Sequence, residues 1–162
     1  MAAVDYFLKI DGIDGESVDN KHKGEIEILS YSWGMSQSGA GAAGSGGGSG
    51  KVSIQDIHFT AKTSLASPNL MLACATGQHI KKAVITLRKA GGKQEEYLVI
   101  NLQDCFISSF APNGEASGNV KVDDRPIESI SLNFNKLEWI YDSPVTGQIV
   151  DVSFDFTPQT TP

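Results

Sequence analysis

Cysteine is scarce in this chain: 162 residues contain two, Cys74 and Cys105. A disulfide framework needs more of them and an oxidising compartment, so buried free thiols are expected. Neither cysteine stands at a recognisable spacing from a histidine, which argues against a thiol nucleophile. Long apolar runs are also missing. None approaches the ~20 residues that a membrane-spanning helix requires, and no membrane insertion is expected. Basic charge is in deficit, with 13 Lys and Arg against 19 Asp and Glu and a net charge of −6. That balance excludes a surface built to grip nucleic acid by phosphate neutralisation. The start, Met1-Ala2-Ala3-Val4-Asp5-Tyr6, lacks the basic head and apolar core of a signal peptide. Synthesis and folding in the cytoplasm are therefore expected, with any export by a route other than a cleaved signal.

Site chemistry is equally sparse. His22, His58 and His79 show no metal-ligand spacing with each other or with cysteine. Asp11 and Asp14 share a turn with glycines but lack the oxygen-ligand repeat of a calcium loop. Glu95 and Glu96 are adjacent, so on a strand they point to opposite faces and cannot work as an acid/base pair. Gly39-Ala40-Gly41-Ala42-Ala43-Gly44 matches the dinucleotide fingerprint G-x-G-x-x-G letter for letter. The fingerprint needs a helix N-terminus after it to receive a pyrophosphate, and here more glycine and then a strand follow. A phosphate-binding P-loop fails at Ser45 and Val52. A Ser-His-Asp triad assembles in space and is not read from spacing, but no nucleophile elbow is present. No catalytic residue, metal or cofactor is expected, and the chain is not read as an enzyme.

What the chain does have is an ordinary globular composition, 40% hydrophobic and 20% charged, over a length that suits one domain spanning residues 1–162. Val4, Tyr6, Leu8 and Ile10 alternate with polar residues as in a half-buried strand. A polar segment from Glu16 to Lys23 reads as a surface loop. Strands follow from about Gly24 to Trp33 and from Lys51 to about Thr63, and every residue from Gly39 to Gly50 between them is Gly, Ala or Ser. That loop has no side chain with which to build a core, and ordering it costs roughly 1–2 kcal/mol of backbone entropy per residue. It is expected to order only when docked against another surface.

The convincing helix starts at Ser67 as N-cap with Pro68 behind it and stops at Gly77, with Leu70, Met71, Cys74 and Ala75 on one apolar face. Strands are then predicted over His79 to Lys89 and from Glu95 through Ile107, joined by a tight turn at Ala90-Gly91-Gly92-Lys93. Ile127 to Tyr141 reads as one long strand whose apolar phase changes. Ile130, Leu132 and Phe134 fall on even positions and Leu137, Trp139 and Tyr141 on odd ones, which predicts a bulge or bend near Asn135-Lys136. A last strand carries Val150, Val152, Phe154 and Phe156, and the tail 157–162 reads as unstructured. About eight strands, one short helix and one oversized loop describe a mainly β protein, a barrel or a sandwich. Ser129, Ser131, Asn133 and Asn135 line one non-core face, and Ser30 and Ser32 another. Small neutral polar residues fit a face turned to an enclosed wet channel or a neighbouring subunit, and fit an ordinary surface as well.

Taken in order, several stretches resemble the Hcp (haemolysin-coregulated protein) family, the tail-tube protein of bacterial type VI secretion systems. They are Asp5-Tyr6-Phe7-Leu8-Lys9-Ile10 with Gly15-Glu16-Ser17, Tyr31-Ser32-Trp33-Gly34-Met35-Ser36-Gln37-Ser38-Gly39, and Gly50-Lys51-Val52 with Gln55-Asp56. Ser67-Pro68-Asn69-Leu70-Met71-Leu72-Ala73-Cys74, Leu87-Arg88-Lys89-Ala90-Gly91-Gly92 with Glu96-Tyr97-Leu98, and Ser131-Leu132-Asn133-Phe134 complete the set. The segment from Asn113 to Ile127 and the tail match least. The resemblance implies a two-sheet β-barrel with the short helix packed on its side and the Gly-rich loop protruding. It also implies homo-hexameric rings that stack into a tube inside a contractile sheath. Such rings work with a tip protein, carry secreted effectors in the lumen, and are themselves exported by the type VI system to the extracellular space or a target cell. No appended toxin domain is expected, since few residues follow the last strand.

By this resemblance Ser38, Gly39, Gly41, Gly44, Gly46, Gly47, Gly48 and Gly50 belong to a loop that packs against an adjoining ring. Strand alternation makes Ser30 and Ser32 the expected lumen contacts with cargo, while Tyr31 and Trp33 face the core. Two other classes compete. A monomeric β-sandwich module binding sugar or peptide would use the loop as a lid, and a hydrolase would use an unrecognised Asp or Ser. Native mass separates the first from a ring, and a point mutation that abolishes turnover would reveal the second.

Overall fold

Period-2 alternation dominates the chain, and the structure is correspondingly built from strands. A computed structural model describes residues 4–39, 51–91, 93–114, 116 and 125–157. Among these, the elements in order are β1 (Val4–Ile10), β2 (Ile26–Ser32), β3 (Met35–Gln37), β4 (Val52–Ile54), β5 (Ile57–Lys62) and α1 (Ser67–Thr76). They continue with β6 (Ile80–Lys89), β7 (Glu96–Pro112), β8 (Ile127–Asn133), β9 (Lys136–Asp142) and β10 (Ile149–Asp155). Eight strands form one antiparallel sheet in the order β10-β9-β7-β6-β1-β2-β5-β8, and a further β7–β8 pairing closes it. The closed part is a six-stranded barrel, β7-β6-β1-β2-β5-β8, and β9 and β10 extend beyond it. The mainly β barrel with a single helix at its side is thus present. β3 and β4 form a separate two-stranded ribbon, which raises the strand count above eight.

The barrel is filled. Leu8, Ile10, Ile26, Ile57, Phe59, Ile85, Ile100, Leu102, Ile107, Ile130 and Leu132 are each at most 2% exposed and share one apolar cluster. Its interior is a packed core with no room for a channel, as side chains fill small barrels. Helix α1 lies against β7 and buries Ser67, Leu70 and Ala73, while Met71 and Ala75, expected on its apolar face, are exposed. Gly77 takes the left-handed C-cap at φ 66° and its N–H bonds to Ala73 O. Ser67 is not the N-cap. Ala66 holds that position with no side-chain cap, and the Ser67 hydroxyl donates to the buried Glu128 carboxylate while accepting the Ser64 N–H. A carboxylate beside the first helical turn is favourably placed toward the positive end of the helix dipole.

The predicted bend is real and divides the expected long strand into β8 and β9 at Phe134-Asn135. Ile130, Leu132, Phe134 and Leu137 are all buried, so the break does return both phases to the core. The 17-residue β7 serves both pieces: Leu98 to Gln103 pairs with β9, and Phe106 to Pro112 with β8. Between these runs Asp104 sits at φ 54°, a left-handed conformation that Asp tolerates better than most residues. The strand expected from Lys51 to Thr63 is likewise two, interrupted at Gln55-Asp56.

The segment read as a surface loop, Glu16 to Lys23, packs over the outer side of β1. Its His22 stacks on Phe7 at 4.3 Å between centroids, and Ser17, His22 and Phe7 are all buried. Phe7 is out of phase with the core residues of β1, so this loop gives it a second, smaller shelter.

Candidate functional site

Three surfaces stand out from the barrel. The first is a polar face on the outside of β2, β5, β8 and β7. Cross-strand register assembles two rows there, Ser32–His58–Ser131–Ser109 and Ser30–Thr60–Ser129–Ala111. Ser30 Oγ and Thr60 Oγ1 are 2.6 Å apart, Ser109 Oγ donates to Ser131 Oγ at 2.7 Å, and Ser131 Oγ lies 2.6 Å from His58 Nδ1. At the end of the face, Asp56 accepts from Ser108 Oγ at 2.6 Å and from Asn133 Nδ2 at 2.9 Å. The two polar faces read separately in the sequence are therefore one. Ser30 and Ser32 are exposed on it, and Tyr31, on the opposite side of β2, packs edge-on against Tyr6 at 5.7 Å. Burial raises the Tyr31 phenol above its ordinary pKa. His58, Thr60 and Ser109 were not singled out as partners of these serines. Only strand pairing brings them together, although their outward phase on β5 and β7 was available.

The second surface is the neck of the long loop. β3 and β4 pair Met35 with Ile54, Ser36 with Ser53 and Gln37 with Val52. Ser38 closes the ribbon: its N–H donates to Lys51 O at 3.2 Å, and its Oγ accepts the Lys51 N–H at 3.0 Å. Gly39 follows at φ 62°, where a side chain would be strained. Gly41, Gly44, Gly46, Gly47, Gly48 and Gly50 lie outside the described residues. Below the ribbon, Trp33 packs on Trp139 and Phe134, as expected of a core-side ring.

The third surface is the extension. Tyr141 pairs with Val150, Trp139 with Val152 and Leu137 with Phe154, so these side chains share the face that continues the barrel core. Among the described residues nothing covers that face on β10: Val150, Val152 and Phe154 are 48%, 61% and 58% exposed. Large exposed apolar patches on a folded chain mark surfaces that meet a partner. On the reverse side, a hydrogen bond with Glu138 raises the Asp151 carboxyl above its ordinary pKa.

Charge chemistry elsewhere serves the fold. Arg88, 1% exposed, donates to both Asp19 oxygens at 2.8 and 2.9 Å and to Asp5 at 3.0 Å, and lies 4.8 Å over the Phe7 ring. These bonds hold the Asp19 carboxyl down at about 2 and push the Arg88 guanidinium further up. His22 bridges Glu25 and Glu96 at 2.7 Å each. Cys105 is buried and Cys74 half-buried, both unpaired; burial pushes the Cys105 thiol up to about 12, which makes it a poor nucleophile. Among the described residues no three or more His, Cys, Asp and Glu side chains are grouped to hold a metal, and no helix is long and apolar enough to cross a membrane.

Fold and surfaces together define a filled β-barrel whose distinctive features are faces and a loop neck, with an apolar sheet extension left open. Residues 7–141 match the family model described as "Type VI secretion system effector, Hcp", and the chain belongs to the Hcp family. It is 49% identical over 140 residues to Protein hcp1 of Pseudomonas aeruginosa, covering 86% of this chain and 83% of that one. Its fold is similar to the crystal structure of Hcp1 from Salmonella typhimurium, with a TM-score of 0.80, 39% identity and 96% of each chain covered. It is also similar to a type VI secretion system effector from Yersinia pestis, with a TM-score of 0.74, 34% identity, and 93% of this chain and 99% of that one covered.

Proposed function

We propose that this chain is a structural tail-tube component of a type VI secretion system, with no catalytic role. Copies close into a hexameric ring, rings stack into a tube, and the lumen carries secreted effectors. The tube is itself delivered out of the cell together with a tip protein, driven by a sheath. Membership of the Hcp family supports the type VI assignment. The observation that carries the assembly is the extension: among the described residues β10 has an unpaired strand edge and a row of exposed Val150, Val152 and Phe154 continuous with the core. Covering that row with the next copy would bury apolar area worth roughly 25 cal/mol per Å². Repeating one head-to-tail contact closes a ring when the rotation per copy divides a full turn.

The polar face of Ser30 and Ser32 is the proposed lumen surface, since it lacks the apolar character of a subunit contact. Ser38, Gly39 and the glycines through Gly50 are proposed to pack on the adjoining ring. The β3–β4 ribbon is separate from the barrel sheet, and small residues allow close approach of backbones. Ordering of the loop on contact would link stacking to loop folding. Native mass spectrometry of the purified chain tests the assembly: a single hexameric species is expected, and a monomer at every concentration overturns it.

A further inference from the structure

On the polar face one side chain is held by hydrogen bonding at one end and exposed at the other. His58 stands directly across from Ser32, and its Nδ1 is tied to Ser131, which accepts a hydrogen bond from the Ser109 hydroxyl. A hydroxyl has one proton to give. With one lone pair of Ser131 already taken by Ser109, the Ser131 proton goes to His58 Nδ1. The reverse arrangement, Nδ1 donating, would leave that proton without an acceptor on a residue 4% exposed. A neutral imidazole that accepts at Nδ1 carries its own proton on Nε2. The relay of three side chains therefore sets His58 to present an N–H donor outward. Among the described residues no hydrogen bond engages the Ser32 hydroxyl, so it stands beside this donor.

Charge on the face favours one kind of partner. The chain has a net charge of −6, yet neither row contains an acidic side chain, and both oxygens of neighbouring Asp56 are occupied by Ser108 and Asn133. Within its two rows the face thus offers outward donors and no carboxylate, and the charge at its end, Asp56, is tied to its own neighbours. We infer that His58, with Ser32, is the specificity-determining donor pair of the cargo face and selects protein surfaces that present carboxylates. This rests on the reading of that face as the cargo surface and adds the chemistry of what it takes.

The test uses the full chain and a fluorescein-labelled pentaglutamate peptide as probe, with pentalysine as control. Anisotropy is expected to show binding of the glutamate peptide and none of the lysine peptide. His58→Leu should weaken that binding roughly tenfold, the loss of about one charge-assisted hydrogen bond. His58→Gln, which keeps a donor, should restore part of it. Long-range proton–nitrogen spectra of 15N-histidine-labelled chain should show His58 protonated at Nε2 and a mixture of tautomers in Ser131→Ala. Failure of pentaglutamate to bind, equal binding by His58→Leu, or a proton on Nδ1 in the unmodified chain would each overturn the inference. Light scattering on the same samples separates the two readings. A hexamer that ignores the peptide defeats the His58 assignment alone, and a monomer that binds through His58 upholds it and defeats the ring.

Discussion

Trp33 and Trp139 meet with ring centroids 5.8 Å apart and planes tilted by 46°, joining the neck of the long loop to the strands that extend past the barrel. Trp33 lies between β2 and β3, and Trp139 pairs directly with Val152 of β10. Two of the surfaces proposed for assembly therefore share one aromatic contact.

Trp33→Ala removes that brace. A loss of about 2–3 kcal/mol is expected, below the range for a fully buried ring because Trp33 keeps part of its surface in water. Urea unfolding measures it. Hydrogen exchange should also rise together at Gln37, in the ribbon, and at Val152; a rise at one alone would show that the two surfaces are not linked.

The Arg88–Asp19 pair gives a pH dependence of known sign. Asp19 is held at about 2, below its ordinary value near 4, so its contribution is present above about pH 4 and is lost as pH falls toward 2. Asp19→Asn should flatten the acid limb of stability between those limits. Arg88→Ala, which leaves two carboxylates facing a vacated site, should cost on the order of 3 kcal/mol at neutral pH. Thermal melts across the acid range check both.

Val152 is 61% exposed on the open face of β10, so Val152→Asp should change the stability of the isolated chain by less than about 1 kcal/mol. The same change puts a charge where the next copy is proposed to sit. Native mass should shift from hexamer to monomer while the circular dichroism spectrum is retained. A hexamer that persists would place the ring contact elsewhere.

How far the sequence could be read is clearest at the β8–β9 break. The change from even to odd apolar positions between Phe134 and Leu137 encodes a change of face directly, so the bend was legible without knowing any neighbour. Pairing was not. Ser32 meets His58, and His58 meets Ser131, through register between segments far apart in the chain, and no local pattern specifies it. Ser67 failed as a cap for the same reason: its hydroxyl is claimed by Glu128, 61 residues away. Phe7, out of phase with the core residues of β1, is covered by Arg88 and His22, and no local pattern specifies that cover. The alternation of Val150, Val152 and Phe154 was legible, whereas the absence of a covering layer depends on where the sheet ends.

Removal of Gly41 to Ser49 separates the proposed ring contact from the proposed stacking contact. The β3–β4 ribbon and the Ser38–Lys51 closure stay in sequence, so rings should form with unchanged native mass. Tube length seen by electron microscopy should fall sharply. A deletion that also abolishes the ring would give the loop a role within it.

Ser32→Gln extends a bulky amide over the polar face beside His58. Effector retention in pull-downs should drop while ring formation is unaffected. Unchanged retention would remove Ser32 from the cargo surface.

The 17-residue β7 is hydrogen-bonded first to β9 and then to β8 without interruption of its backbone. A thrust applied to the overhanging strands reaches the barrel wall by two routes, the hydrogen-bond ladder between β9 and β7 and the short covalent step from β8 to β9 at Phe134-Asn135. The overhang is thus tied to two barrel staves, β7 by pairing and β8 by chain continuity, while its far edge stays free to take up a neighbour.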